Sequence, residues 1–115
     1  MSTAAAYPAW FVLARAMTEA QLTSLVVDAC TTLRLQRYHT HRSDRSPAGW
    51  PDEVLLGPGG VLFRELKRHG KNPTRAQQAW LDGLAGHGLD VAVWRPEDWY
   101  TGRIMAELQA IARAA

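Results

Sequence analysis

Cysteine is almost missing from this chain of 115 residues; Cys30 is the single one. One thiol cannot close an internal disulfide or build a cysteine-based zinc site, which excludes a disulfide-stapled scaffold. Long apolar runs are also missing. No stretch approaches the roughly 18–20 residues that a membrane-spanning helix needs, and Met1 to Trp10 lacks the basic start of a signal peptide. These absences lead us to expect a cytoplasmic protein with no membrane partner. Net charge is small, +2, and by itself too weak to indicate nucleic-acid binding. There is no internal repeat, linker or low-complexity segment.

What is present fits one α/β domain. The length suits a single core, and 47% hydrophobic with 21% charged residues matches a globular chain rather than a disordered one. The bases cluster: between Arg34 and Arg75 lie Arg37, Arg42, Arg45, Arg64, Lys67, Arg68 and Lys71. A basic middle suits a phosphate backbone, although a solvated face has the same composition.

Residues 1–16 show only an apolar cluster at Trp10, Phe11, Val12 and Leu13, fitting either a terminal arm or a short, partner-binding helix. From Thr18 to about Arg34 the signal is helical. Thr18 and Gln21 form a capping-box pair, and Leu22, Leu25, Val26, Ala29, Cys30 and Leu33 follow at helical spacing, with Cys30 on the buried stripe. Glu19 opens this helix, either as an acid favoured by the helix dipole or as a group aimed into a site. Gln36 to His41 reads as a short strand. Asp52–Leu56 and Val61–Lys67 read as the two arms of a hairpin around Gly57-Pro58-Gly59-Gly60. That glycine cluster is no phosphate-binding loop, because neither a helix nor a Gly-Lys-Ser/Thr ending follows. Thr74 and Gln77 cap a second helix that ends at Gly88. Leu89–Trp94 reads as a strand, and a last helix runs from Glu97 or Asp98 to Ala115. The order α-β-β-β-α-β-α implies helices around a small mixed sheet.

On the second arm of the hairpin, Glu65 and Lys67 are two apart and point the same way. The first arm brings Asp52 alongside them. Phosphodiester hydrolysis calls for such a set. Carboxylates hold Mg²⁺ or Mn²⁺, the cation acidifies a bound water, and a lysine offsets charge in the transition state. The backbone carbonyl of Leu66 could be a further ligand. The bland alternative is a Glu–Lys pair on an exposed sheet face.

Four ordered blocks weigh against that alternative: Gly49-Trp50-Pro51-Asp52, Val61-Leu62-Phe63-Arg64-Glu65-Leu66-Lys67, Thr74-Arg75-Ala76-Gln77-Gln78-Ala79-Trp80-Leu81 and Val93-Trp94-Arg95-Pro96. Together they resemble the VRR-NUC family, a branch of the PD-(D/E)xK nucleases. The resemblance implies a restriction-endonuclease-like fold over residues 17–115 and divalent-metal-dependent cleavage of duplex or branched DNA. It also implies a homodimer of the kind that resolves Holliday junctions, with duties in DNA repair or recombination. Carried over by position, Asp52 and Glu65 become metal ligands and Lys67 the catalytic lysine. Glu19 becomes the acid of the first helix, reaching the metal directly or through water, and Gln77 the glutamine that opens the helix after the Glu-x-Lys strand. One departure is Glu53, where the family usually has an apolar residue. Strand alternation turns it away from Asp52, whereas an irregular strand start would let it disturb or supplement the metal site.

Other signals are weaker. His39 and His41 could share a strand face, but no third ligand at zinc spacing accompanies them. One of them near the active site would touch a phosphate; ordinary strand polarity explains them equally well. The polar loop with Arg42, Ser43, Arg45 and Ser46 corresponds to a family region near the metal, so it either meets the scissile strand or is solvated. Lys71, Asn72 and Arg75 flank a helix start, where backbone N–H groups favour phosphate. Gln77 has a competing use as a capping-box partner, and the expectation is that one side chain cannot fill both roles. Trp80, Trp94 and Trp99 read as core or core-edge residues, while Trp50 is placed to border a substrate groove. The leading expectation is a metal-dependent endonuclease leaving a 5′-phosphate and a 3′-hydroxyl. A non-cutting DNA-binding module and a protein-interaction domain are the alternatives.

Overall fold

The computed structural model describes residues 7–40 and 47–114. Its elements run α1 Ala9–Ala16, α2 Glu19–Leu33, β1 Gln36–His39, β2 Glu53–Gly57, β3 Gly60–Leu66, α3 Arg75–Gly86, β4 Val91–Trp94, α4 Pro96–Tyr100 and α5 Arg103–Ala112. The four strands form one sheet in the order β1-β2-β3-β4. The first two pairings are antiparallel and β3–β4 is parallel, the mixed sheet expected from the alternation of elements.

Local chemistry sets the helix starts. Thr18 and Thr74 each accept a hydrogen bond from the backbone three residues on, and Gln21 and Gln77 reach back to the threonine N–H. Each box satisfies two helix-end donors and is worth about 1 kcal/mol. The hairpin glycines have a use beyond the turn. Gly59 donates its N–H to the Ile111 carbonyl at 2.8 Å, satisfying an end of α5. A Cβ at Gly57 or Gly59 would run into the backbone of residues 110–113, so only glycine lets the turn lie that close.

Residues opposed across the ladders share a face. Leu55, Leu62, Leu66 and Trp94 therefore lie together, and they pack against Leu22, Val26, Ala29 and Cys30 of α2 and Ile104, Leu108 and Ile111 of α5. Burial pushes the Cys30 thiol up to about 11, with the nearby Glu53 carboxylate adding to the shift. The opposite face carries Val54, Phe63, Glu65 and Val93 and is met by α3.

Two stretches differ from expectation. The last predicted helix is broken. Gly102, at φ +85°, separates α4 from α5, a left-handed turn that a continuous α-helix cannot contain. At the other end, Ala9–Ala16 of the undecided first segment is helical and packs on α4, with Trp10 stacked on Tyr100 and Phe11 edge-on to His69.

The basic middle of the chain is also less available than its composition implied. Arg64 is 2% exposed, bonded to Asp90 and Glu107 at 2.8 Å each and lying over the Trp94 ring. Arg37 holds Glu53 through two hydrogen bonds of 2.6 and 2.8 Å. Both arginines lie on the core face, Arg64 as register partner of Glu53 and Arg37 of Leu55. Neither is a surface cation waiting for phosphate.

Candidate active site

The segment before β2 is fixed residue by residue. Gly49 has φ +89°, and a Cβ there would lie 2.6 Å from the Gln77 nitrogen; glycine is required for both reasons. Trp80 donates its indole N–H to the Ala48 carbonyl at 3.0 Å. Trp50 packs edge-on against Trp80 and Phe63, and Pro51 is buried. Asp52 emerges from this clamp at the mouth of β2. Its Oδ2 accepts the Leu66 N–H at 3.0 Å, a bond that ties the two arms of the hairpin together at the carboxylate.

Glu65 lies beside it. Continuing the β2–β3 register one residue past Glu53↔Arg64 sets Asp52 opposite Glu65. Glu65 is 1% exposed. Its Oε2 accepts from Gln77 Nε2 at 2.9 Å and lies 3.7 Å from Lys67 Nζ, while its Oε1 is buried with no partner. Burial, and then the Asp52 charge, push its carboxyl up to about 8. Glu19, on the first turn of α2, is also raised, by desolvation first and then by Asp52, with Lys67 opposing. It therefore shares the electrostatic neighbourhood of the site. Asp52, Glu65, Lys67 and Gln77 come together as expected, with Glu19 at the margin.

Gln77 corrects one expectation. Its Oε1 accepts the Thr74 N–H at 2.8 Å while its Nε2 bonds Glu65. An amide has an acceptor end and a donor end, so one side chain fills both roles. Glu53 turns away from Asp52, as alternation requires, and is taken up by Arg37 and His39. The half-buried ring of His39 directs Nδ1 to Glu53 Oε2 at 2.8 Å and to the Asp52 carbonyl at 3.1 Å. Leu66 contributes its N–H, and its side chain belongs to the core. Lys71 and Arg75 are exposed before and at the start of α3. His41, Arg42, Ser43, Arg45 and Ser46 lie outside the described residues.

Two neighbours carried no role in the sequence reading. Arg95 donates to the Lys71 carbonyl at 2.9 Å, bracing the β3–α3 connection. Thr40 lines a cleft of ≈ 130 Å³ together with Gly49, Trp50, Asp52 and Gln77. The signal that could have found Thr40 is the hairpin register extended to β1.

The donor set fits a hard divalent cation. Two carboxylates sit side by side, and one of their oxygens is buried without a hydrogen bond, a costly state that a cation would relieve. Among the described residues no group of three or more His, Cys, Asp and Glu side chains is arranged to hold a metal. The remaining positions would fall to backbone and water, as Mg²⁺ commonly accepts.

No protein-family profile matches the chain, and no curated protein matches it either. Solved structures do. One described as a "VRR_NUC domain protein" aligns with TM-score 0.60 and 19% identity, over 86% of this chain and 98% of that one. Another, described as "VRR_NUC domain", aligns with TM-score 0.61 and 19% identity, over 75% and 95%. The backbone agreement leads to the same place as the four sequence blocks: this chain has the VRR-NUC fold, a restriction-endonuclease-like α/β arrangement of helices around a mixed four-stranded sheet.

Proposed function

We propose that this protein is a DNA endonuclease dependent on Mg²⁺ or Mn²⁺. The observation that carries the reading is the Asp52–Glu65 pair beside Lys67, with a buried Glu65 oxygen left without a partner. A divalent cation bound there would acidify a water and neutralise charge on the phosphoryl oxygens. Asp52 and Glu65 would hold that cation, Asp52 oriented by the Leu66 N–H and Glu65 by the Gln77 amide, and Glu65 would have to be ionised to do so. Lys67 steadies the carboxylate pair and orients the attacking water. Attack of the water oxygen on phosphorus would break the P–O3′ bond, the proton given up by the water to solvent being matched by the one the released 3′-oxygen takes from it, and leave a 5′-phosphate and a 3′-hydroxyl.

Glu19 would reach the cation directly or through water. Lys71 and Arg75 contact the DNA backbone, where exposed bases beside a helix start suit phosphate. Arg42, Ser43 and Arg45 are further DNA contacts in this reading, whereas the His39 ring is taken up by Glu53. Branched or junction DNA is the preferred substrate, cut by a homodimer that presents two sites to a two-fold structure.

The test compares wild type with Lys67→Ala on labelled four-way junction, flap and duplex DNA in Mg²⁺, Mn²⁺ or EDTA. Cutting by wild type that EDTA and the variant both abolish supports the reading. Binding without cutting under every condition overturns it and leaves a DNA-binding module.

A further inference from the structure

The β1–β2 register Gln36↔Leu56 to His39↔Glu53, continued by one residue, sets Thr40 opposite Asp52. The β2–β3 register, continued likewise, sets Asp52 opposite Glu65. Residues opposed in register share a face, so Thr40, Asp52 and Glu65 form one row across three strands. Thr40 N–H donates to the Asp52 carbonyl at 3.4 Å, which fastens the row at its open end.

Three buried side-chain oxygens among the described residues have no hydrogen-bond partner: Thr40 Oγ1, Glu65 Oε1 and Glu97 Oε1. Two of the three fall in this row, one on either side of Asp52. A buried hydroxyl without a partner costs stability, and such groups usually have a water or an ion to satisfy them. Thr40 also lines the cleft that Asp52 and Gln77 line. A valine there would fill the same space with no such cost. The hydroxyl has one donor and two acceptor positions, and a Mg²⁺ or Mn²⁺ ion held by few carboxylates keeps several waters.

We propose that Thr40 is a further positioning residue of this site: its hydroxyl oxygen accepts a hydrogen bond from a water ligand of the divalent cation carried by Asp52 and Glu65. The inference rests on the metal-dependent reading given above and adds a residue from the neighbouring strand to it. Thr40 touches the cation only through that water, and its effect is on how tightly and in what orientation the cation is held.

The experiment titrates the full chain with Mn²⁺ by calorimetry, without DNA, for wild type, Thr40→Val and Thr40→Ser, and melts each metal-free protein. Thr40→Val is expected to weaken Mn²⁺ binding by about 10–100-fold, the usual effect of losing an outer-shell partner, while its metal-free form melts no lower than wild type. Thr40→Ser keeps the hydroxyl and keeps the affinity. Equal Mn²⁺ affinity in wild type and Thr40→Val overturns the inference and leaves the metal site standing. A Thr40→Ser protein as weak as Thr40→Val, although it keeps the hydroxyl, shows that the hydroxyl is not what holds the affinity and overturns it too. Wild type that binds no Mn²⁺ overturns the metal reading itself, and this inference with it.

Discussion

Gln77 and Glu65 are joined by a 2.9 Å hydrogen bond from the Gln77 amide nitrogen, while the other end of the same amide caps α3. The start of a helix and the orientation of a buried carboxylate are therefore set by one side chain. A substitution that preserves one bond and spoils the other separates the two duties.

Gln77→Glu is that substitution. A carboxylate at this helix position still accepts the Thr74 N–H and suits the helix dipole, but it presents an acceptor and a negative charge to Glu65. We expect a melting temperature close to wild type, measured with the cation bound, and cleavage reduced by about 10–100-fold. A fully active Gln77→Glu protein would remove the Gln77–Glu65 bond from the account of the site.

The raised Glu65 carboxyl makes the metal-free protein pH-sensitive. The folded chain holds this proton up to about 8, the unfolded chain releases it near 4.5, so between those values the native state binds more protons. Stability therefore falls as pH rises through that window. Melting of the metal-free protein from pH 5 to 8 should show the decline, and Glu65→Gln, which cannot ionise, should flatten it. Metal affinity should move the opposite way, tightening with pH as the competing proton leaves.

Arg64 and Arg68 lie four residues apart in the sequence but differ entirely in setting. Arg64 is buried between Asp90 and Glu107, whereas Arg68 is exposed. Arg64→Ala leaves Glu107, Asp90 and the Trp94 face without their partner and empties a buried position, and should cost about 1–3 kcal/mol in urea unfolding. Arg68→Ala should change stability by less than about 0.5 kcal/mol.

DNA affinity should divide the bases the same way. Lys71→Ala and Arg75→Ala should each lower the slope of log affinity against log salt by about 1. Arg37→Ala should leave that slope unchanged, because its guanidinium is committed to Glu53. Filter binding across a salt series distinguishes the two groups.

The parts of this fold that rest on neighbours in sequence were readable from it. Both capping boxes involve residues three apart, the hairpin announces itself by its glycines, and the alternation of Glu65 and Lys67 follows from strand geometry alone. What escaped depends on contacts far along the chain. Arg64 and Arg37 look like surface cations until the sheet places Glu107, Asp90 and Glu53 beside them. The break at Gly102 sits inside a stretch whose apolar spacing suits one continuous helix. For Gln77, spacing shows the cap but not the carboxylate across the cleft, so the sequence presents its two roles as exclusive. Thr40 lacked any signal until the register aligned it with Asp52.

Cys30 is 2% exposed and packs within the cluster that joins α2 to the sheet and α5. A thiol reagent can reach it only when that cluster opens, and burial keeps it protonated and slow to react until then. With one cysteine in the chain, its rate of alkylation is a built-in clock for opening of the core. Slowing of that clock on adding Mn²⁺ would measure, without any DNA, how far events at the carboxylates stiffen the opposite face of the sheet.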